Sequence, residues 1–188
     1  MNNLSSFVDP ARGLSRRSCI GLLTAGATLS IKTSWAQPAS EAAEEAKAPP
    51  LPALGSRLSV PPIALLGGGQ FDPDQSRGRP LLVYWWSSTC PYCALQSPSM
   101  EALWRGLQAR GAQLLTLTID KKPEAAMAYL AKRGYTFPTG WASPAWRKQY
   151  PKPKGLPITL VADAEGRLVV AEKGQMFPED VEDLAKYF

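Results

Sequence analysis

The clearest pattern along the chain is an uninterrupted apolar run at residues 80–86, followed by small polar residues and then by apolar positions at helical spacing. A continuous run of this kind is typical of a strand that is buried on both faces. The helical positions are Leu95, Met100, Leu103, Trp104 and Leu107. Gly111 is expected to end this helix and Pro98 to kink it. A second β-rich run at 113–119 completes a β-α-β unit, which predicts two parallel strands.

Weaker patterns predict the elements on both sides of this unit. They are a hairpin over 62–71, an amphipathic helix over 123–132, a second hairpin formed by 158–161 and 168–171, and a C-terminal helix over 178–187. The Trp-containing segment before residue 158 has no regular period and is expected to be irregular. The fold class is therefore α/β, with a mixed central sheet flanked by helices, an N-terminal β-hairpin and an inserted helix.

The first 57 residues have a different composition from the rest. Residues 1–36 combine a basic start, the pair Arg16-Arg17, a weakly apolar stretch and small residues up to Ala36, which predicts a cleaved, twin-arginine-like export signal. An uncleaved anchor and an ordinary secretory signal are the alternatives. Residues 37–57 are rich in Ala, Glu and Pro, so we expect a disordered linker with at most a short, exposed helix over 40–47. The folded domain is expected to cover 58–188.

Charge and residue usage exclude several classes of function. The net charge of +5 is concentrated in residues 1–36, which hold four basic residues and one acidic residue. The remainder carries only +2 and has no basic stripe, so we expect no nucleic-acid partner. The chain contains no histidine, which excludes histidine bases and histidine metal ligands. Of its three cysteines, Cys19 falls within the predicted signal.

The other two cysteines, Cys90 and Cys93, lie three positions apart where the strand gives way to the helix. The first thiol of such a pair sits at the positive end of the helix dipole, where backbone N–H groups stabilise a thiolate. We therefore expect Cys90 to be the nucleophile and Cys93 the resolving thiol of a redox site. A zinc site would need four ligands, and an inert bridge would gain little from so short a loop, so neither is favoured. No metal or cofactor is expected.

A dithiol after the first parallel strand, in this order of elements, is similar to the thioredoxin fold. The N-terminal hairpin and the inserted helix make the chain resemble the TlpA/ResA-like family of exported thiol-disulfide oxidoreductases. The matching stretches are residues 84–93, Pro98, 155–161 and 163–167. The resemblance implies that Pro157 is cis and packs beside Cys90, while Leu156 offers its backbone to a substrate strand. Pro91 and Tyr92 complete the expected substrate contacts.

Two positions depart from that family's pattern. Thr89 stands where members usually have Trp, and Gln96 where many have a Glu that takes part in proton transfer. Gln cannot take a proton, and the nearby Glu101 is expected to be a carboxylate on the helix surface. Residues 152–155 form a basic, proline-containing loop before Pro157, for which a solvated connector and a contact to an acidic partner are both open.

The sequence as a whole predicts a periplasmic, monomeric thiol-disulfide oxidoreductase. Its partners would be client proteins that carry disulfides and a membrane or periplasmic electron donor. A role as a reductase in cytochrome c or metalloprotein assembly is the leading hypothesis. A thiol peroxidase or redox sensor on the same fold and a non-catalytic copper-binding module are the alternatives.

Overall fold

The computed structural model describes residues 39–188, so the predicted export signal and its cleavage after Ala36 lie outside the described residues. The helices are α1 (Ala39–Lys47), α2 (Pro91–Gln108), α3 (Pro123–Arg133), α4 (Pro144–Arg147) and α5 (Pro178–Asp183). The strands are β1 (Ile63–Ala64), β2 (Gln70–Phe71), β3 (Leu81–Trp86), β4 (Gln113–Thr118), β5 (Thr139–Trp141), β6 (Ile158–Ala162) and β7 (Leu168–Lys173). Short 3₁₀ helices cover Pro73–Ser76 and Leu184–Tyr187.

Five strands form one mixed sheet in the order β5-β4-β3-β6-β7. Strand β3 runs parallel to β4 and antiparallel to β6, and β4 runs parallel to β5. The predicted fold class is confirmed, including the parallel pair at the centre and the antiparallel pair β6-β7. The segment expected to be irregular instead contributes strand β5 and the short helix α4, so that expectation was wrong.

Strand β3 separates two layers of the hydrophobic core. Tyr84 and Trp86 belong to the layer packed against α2, and Val83 and Trp85 belong to the opposite layer. All six residues of the strand are buried. Both layers need apolar side chains from a single strand, which explains why residues 81–86 read as a continuous run and not as an alternating one.

The N-terminal hairpin β1-β2 covers the β5 edge of the sheet. The N–H of Leu66 donates to the carbonyl of Thr139 at 2.8 Å. Gly140 is required at this contact, because a Cβ there would lie 2.8 Å from the Ile63 side chain. The sheet edge is therefore paired and not left open to other chains.

The segment expected to be a disordered linker makes ordered contacts with the domain. The N–H of Gly55 donates to the carbonyl of Leu168 at 2.8 Å, and the N–H of Leu168 donates to the carbonyl of Ser56 at 2.8 Å. Leu51 packs against the core layer that contains Trp85. The prediction from composition was wrong because the backbone groups of this segment form hydrogen bonds along the edge of β7. Residues 49–57 therefore belong to the folded unit.

Helix α1 is present where a short helix was expected, but it is not an exposed spacer. Glu44 forms an ion pair with Arg147 at 3.1 Å. Glu45 forms an ion pair with Lys152 at 3.0 Å. Both contacts tie the helix to the segment that follows β5.

Glu101 is buried, with 6% of its surface exposed, which corrects the expected surface carboxylate. It accepts hydrogen bonds from the N–H of Thr136 at 2.8 Å and the N–H of Phe137 at 3.2 Å. Arg105 pairs with it at 2.7 Å. The carboxylate therefore holds the segment after α3 onto α2. None of these contacts links it to the dithiol.

No helix among residues 39–188 is both long enough and apolar enough to cross a membrane.

Candidate active site

The two cysteines lie at the start of α2, directly after the central strand β3. Cys90 is the N-cap residue, with extended backbone angles of φ −83° and ψ 115°. Pro91 occupies the first helical turn, where the missing N–H would have had no partner in the helix. The predicted strand, turn and helix are therefore all found, and they bring Cys90 and Cys93 together at a helix N-terminus.

The two thiols differ in exposure and in acidity. Cys90 is partly exposed, whereas Cys93 is 1% exposed, and both are free thiols. The N–H of Cys93 donates to the Cys90 sulfur at 3.2 Å. The hydrogen bond from the Cys93 thiol has the largest effect on the pKa of Cys90. Together with the backbone N–H groups of Cys93 and Tyr92, it lowers that pKa to about 7 against the opposing effect of burial.

The same pair raises the pKa of Cys93 far above that of an ordinary thiol. The largest cause is its hydrogen bond to the Cys90 sulfur, followed by burial, and the Cys90 charge adds to both. Two adjacent thiols cannot both ionise easily, so the protonation of one is coupled to that of the other. The site thus holds one thiol ready to ionise and one that keeps its proton.

A buried carboxylate, Asp120, organises the loop that precedes Cys90. It accepts hydrogen bonds from Ser87 Oγ at 2.6 Å and from the Ser88 N–H at 3.0 Å. Ser88 Oγ and Thr118 Oγ1 each donate to it at 3.0 Å. Sequence reasoning missed this residue. Asp120 lies just beyond β4, at the same end of the sheet as the carboxyl end of the parallel strand β3, and this position is the signal that indicates a place near the dithiol.

Gln96 is 1% exposed and has a partner on both ends of its amide. Its Nε2 donates to Thr159 Oγ1 at 2.9 Å, and its Oε1 accepts from the Met176 N–H at 2.9 Å. The amide therefore links α2 to β6 and to the loop after β7. Both of its contacts use an uncharged group, which fits Gln better than an ionised Glu.

The loop before β6 carries the cis peptide bond between Leu156 and Pro157. Lys152 Nζ donates to the carbonyls of Pro153 at 2.7 Å and Gly155 at 2.9 Å. Only 10% of the Lys152 side chain is exposed, so this part of the basic loop is not a solvated connector. Burial lowers the pKa of Lys152, and its pairing with Glu45 acts in the opposite direction.

The four residues expected to contact substrate occupy different environments. Leu156 and Tyr92 line one groove of about 480 Å³, and Tyr92 is 59% exposed. Pro91 is exposed on the first turn of α2, whereas Pro157 is buried. The structure therefore brings an accessible surface from α2 and one from the cis-proline loop to the same groove.

No group of three or more Cys, Asp or Glu side chains that could hold a metal ion occurs within residues 39–188.

A central mixed sheet of this order, with a dithiol at the start of the helix after the middle strand, defines a protein of the thioredoxin fold. The family model described as Redoxin matches residues 51–187. The chain belongs to the Redoxin family. The match begins at residue 51, so helix α1 lies outside it.

Named relatives agree with this class. The thiol:disulfide interchange protein HelX of Rhodobacter capsulatus is 27% identical over 147 residues, which cover 78% of this chain and 75% of that protein. The structure of a putative thiol:disulfide interchange protein DsbE from Chlorobium tepidum matches with a TM-score of 0.61 and 23% identity, covering 72% of this chain and 94% of that one. The structure of a secreted Mycobacterium tuberculosis disulfide oxidoreductase matches with a TM-score of 0.59 and 18% identity, covering 68% and 95%.

These likenesses confirm the resemblance and the fold expected from the sequence. They also confirm the enzyme class, which is that of a thioredoxin-like thiol-disulfide oxidoreductase.

Proposed function

We propose that this protein exchanges disulfides with client proteins in the periplasm, with Cys90 as the nucleophile and Cys93 as the resolving thiol. The observation that carries the proposal is the asymmetry of the pair. Cys90 is partly exposed with a pKa lowered to about 7, whereas Cys93 is buried with a raised pKa. At neutral pH, Cys90 can therefore react as a thiolate, while Cys93 stays protonated.

In the first step, the Cys90 thiolate attacks one sulfur of the client disulfide. A new bond forms between Cys90 and that sulfur, and the other client sulfur leaves as a thiolate. The leaving thiolate can accept the proton that Cys93 must lose. No acid at position 96 is needed for this transfer, which is consistent with Gln96.

In the second step, Cys93 attacks the sulfur of Cys90 and releases the second client sulfur as a thiolate. The mixed disulfide removes both the charge and the acceptor role of the Cys90 thiolate, which are two of the causes that raise the pKa of Cys93. Cys93 therefore becomes easier to ionise only after the client is bound. The client gains two electrons, and the protein is left with a Cys90–Cys93 disulfide that a donor must reduce.

The client would contact the protein on both sides of Cys90. Leu156 would pair its backbone with an extended client segment, next to Pro157, and Pro91 and Tyr92 would bound the segment on the α2 side. This arrangement is supported by the position of Tyr92 and Leu156 on one groove.

We infer a periplasmic location from the predicted export signal, and one structural relative is described as secreted. The resemblance to exported oxidoreductases supports a role as a reductase in cytochrome c or metalloprotein assembly, with a membrane or periplasmic electron donor. Cell fractionation of the full chain tests the location. Recovery of the folded protein only in the cytoplasm would contradict it.

The reaction is tested by equilibrating the protein with glutathione buffers and by substituting each cysteine in turn. Cys93→Ser should accumulate mixed disulfides with clients, because Cys90 can still attack the client disulfide but no second thiol remains to release the client. Cys90→Ser should trap none and serves as the matched control. Wild-type protein that reduces no disulfide, together with a Cys93→Ser variant that captures no client, would refute the proposal.

A further inference from the structure

The groove beside the dithiol has a chemical character that the exchange reaction does not require. Three apolar residues line it, Tyr92, Leu156 and Phe177, which we call the apolar wall. Two basic residues, Lys154 and Lys173, which we call the basic rim, and Glu45 of α1 also line it. We call this surface the client groove. We propose that it selects disulfide-bearing client segments in which an apolar side chain lies next to an acidic one. This inference rests on the proposed function and names the substrate class of the same site.

The apolar wall is accessible although its side chains are large. Tyr92 is 59% exposed and Phe177 is 64% exposed, and both are among the few large hydrophobic residues of residues 43–188 with that much surface in water. Leu156 lines the same groove and also packs against the core. Exposed apolar side chains that share one concave surface are typical of an interaction site.

The single acidic residue among those that line the client groove, Glu45, is already paired. Its carboxylate accepts a hydrogen bond from the N–H of Gly155 and forms the ion pair with Lys152 at 3.0 Å. Burial raises the pKa of Glu45, but the hydrogen bonds from Lys152 and Gly155, together with the charges of Lys152 and Lys154, outweigh it and hold that pKa below its ordinary value. Its charge is therefore neutralised within the protein.

The two rim lysines are not paired in this way, although the charge of Lys154 also acts on Glu45. Neither Lys154 nor Lys173 forms an ion pair within residues 39–188, and both are exposed. With Glu45 balanced by Lys152, the rim keeps an excess of about two positive charges. A charged rim beside an apolar wall favours a partner of opposite charge and disfavours one of like charge.

Lys173 is held in position along the groove. The stem of its side chain lies against Gly155, where a Cβ would come within 2.9 Å of both Cγ and Cδ. Gly155 also has a φ of 98°, a conformation that favours glycine. The loop thus leaves room for the Lys173 stem, and the ammonium group is presented at the rim.

The test compares two disulfide-linked peptides that are identical except for Asp or Lys beside the leucine that flanks the cysteine. Rates of reaction with the reduced protein are measured at low ionic strength and normalised to the rates with 2-mercaptoethanol, which removes the intrinsic reactivity of each peptide. The Asp peptide should react roughly three- to tenfold faster, and the preference should fall as salt screens the rim. Bis(2-hydroxyethyl) disulfide, which is small and neutral, reports the chemistry of the dithiol alone.

Charge-reversed Lys154→Glu/Lys173→Glu protein should prefer the Lys peptide, and the Lys154→Gln/Lys173→Gln protein should show no preference. Lys132→Glu, at the exposed end of α3, lowers the net charge by as much as the double Gln variant does; it is the matched control and should keep the wild-type preference. The peptide rates of each protein are divided by its own rate with the neutral disulfide, and Lys132→Glu should keep the wild-type rate with that disulfide.

Equal normalised rates for the two peptides, or a preference that survives charge reversal, would overturn this inference while leaving the exchange reaction intact. Failure of the wild-type protein to reduce the neutral disulfide would refute the proposed function, and the inference with it.

Discussion

The acidity of Cys90 is the quantity on which the proposed chemistry depends most directly, and it can be perturbed at its largest cause. The hydrogen bond from the Cys93 thiol ranks first among the effects that lower the pKa of Cys90. Cys93→Ala removes that donor, whereas Cys93→Ser supplies a hydroxyl in its place. We expect the pKa of Cys90 to stay near 7 in Cys93→Ser and to rise toward the ordinary value of 9.0 in Cys93→Ala.

The size of the effect on reactivity follows from two opposing terms. With a pKa of about 7, half of Cys90 is ionised at pH 7, compared with about 1% of a thiol whose pKa is 9.0, so the thiolate is ~50-fold more abundant. A more acidic thiol is also a weaker nucleophile, and a Brønsted slope of ~0.4–0.5 over two units reduces the rate per thiolate by ~6–10-fold. The net gain at pH 7 is therefore only ~5–8-fold over an unperturbed thiol.

Alkylation by iodoacetamide, followed as a function of pH, measures both terms. A lowered pKa favours the thiolate, so the rate should rise as pH increases through about 7 and level off above it, and should be lost as pH falls below 7. The plateau rate of Cys93→Ser should lie below that of Cys93→Ala, because its thiolate is the weaker nucleophile. A midpoint near that of an ordinary thiol in Cys93→Ser, or the same midpoint in both variants, would refute the assigned cause.

Two further predictions concern the buried polar groups around the dithiol. Asp120→Ala leaves Ser87 and Ser88 without their acceptor, so chemical denaturation should show a loss of about 1–3 kcal/mol in unfolding free energy; Asp74→Ala, at an exposed site, is the control, and losses of equal size would contradict the role of Asp120. Gln96→Glu places a carboxyl at a site that is 1% exposed, where burial should raise its pKa above ~4.3. The variant should then match the wild type in thermal stability at pH 4 and lose stability as pH rises through the raised pKa; identical pH profiles for the two proteins would show that the carboxylate is tolerated there.

Elements whose sequence pattern lies within a single strand or on a single helix face could be predicted from the sequence. Residues 81–86 are apolar because β3 serves two core layers, and Cys90 lies at a helix start because a strand, small polar residues and a proline precede the helical spacing. Both signals are local. The dithiol follows from these local signals, whereas the cis-proline loop is predicted only through the family resemblance.

Features that depend on partners distant in sequence could not be predicted in this way. Strand β5 has only three residues, and it is defined by its pairing with β4 and not by its own composition. Glu45 and Lys152 are 107 positions apart, so neither the Ala- and Glu-rich composition of one nor the basic loop of the other indicates the ion pair. The helical spacing alone likewise predicts a surface position for Glu101, because its role as an acceptor arises only where α2 meets the segment after α3.

The amide of Gln96 has a consequence for how this protein would respond to its surroundings. It joins α2, which begins at the dithiol, to the residue before Phe177, and it does so with groups that neither gain nor lose a proton near neutrality. The support behind the apolar wall is thus independent of pH over the range in which Cys90 changes its charge. Acidification should slow the chemistry while leaving the recognition surface in place, so that affinity for a client and reactivity toward it can vary separately.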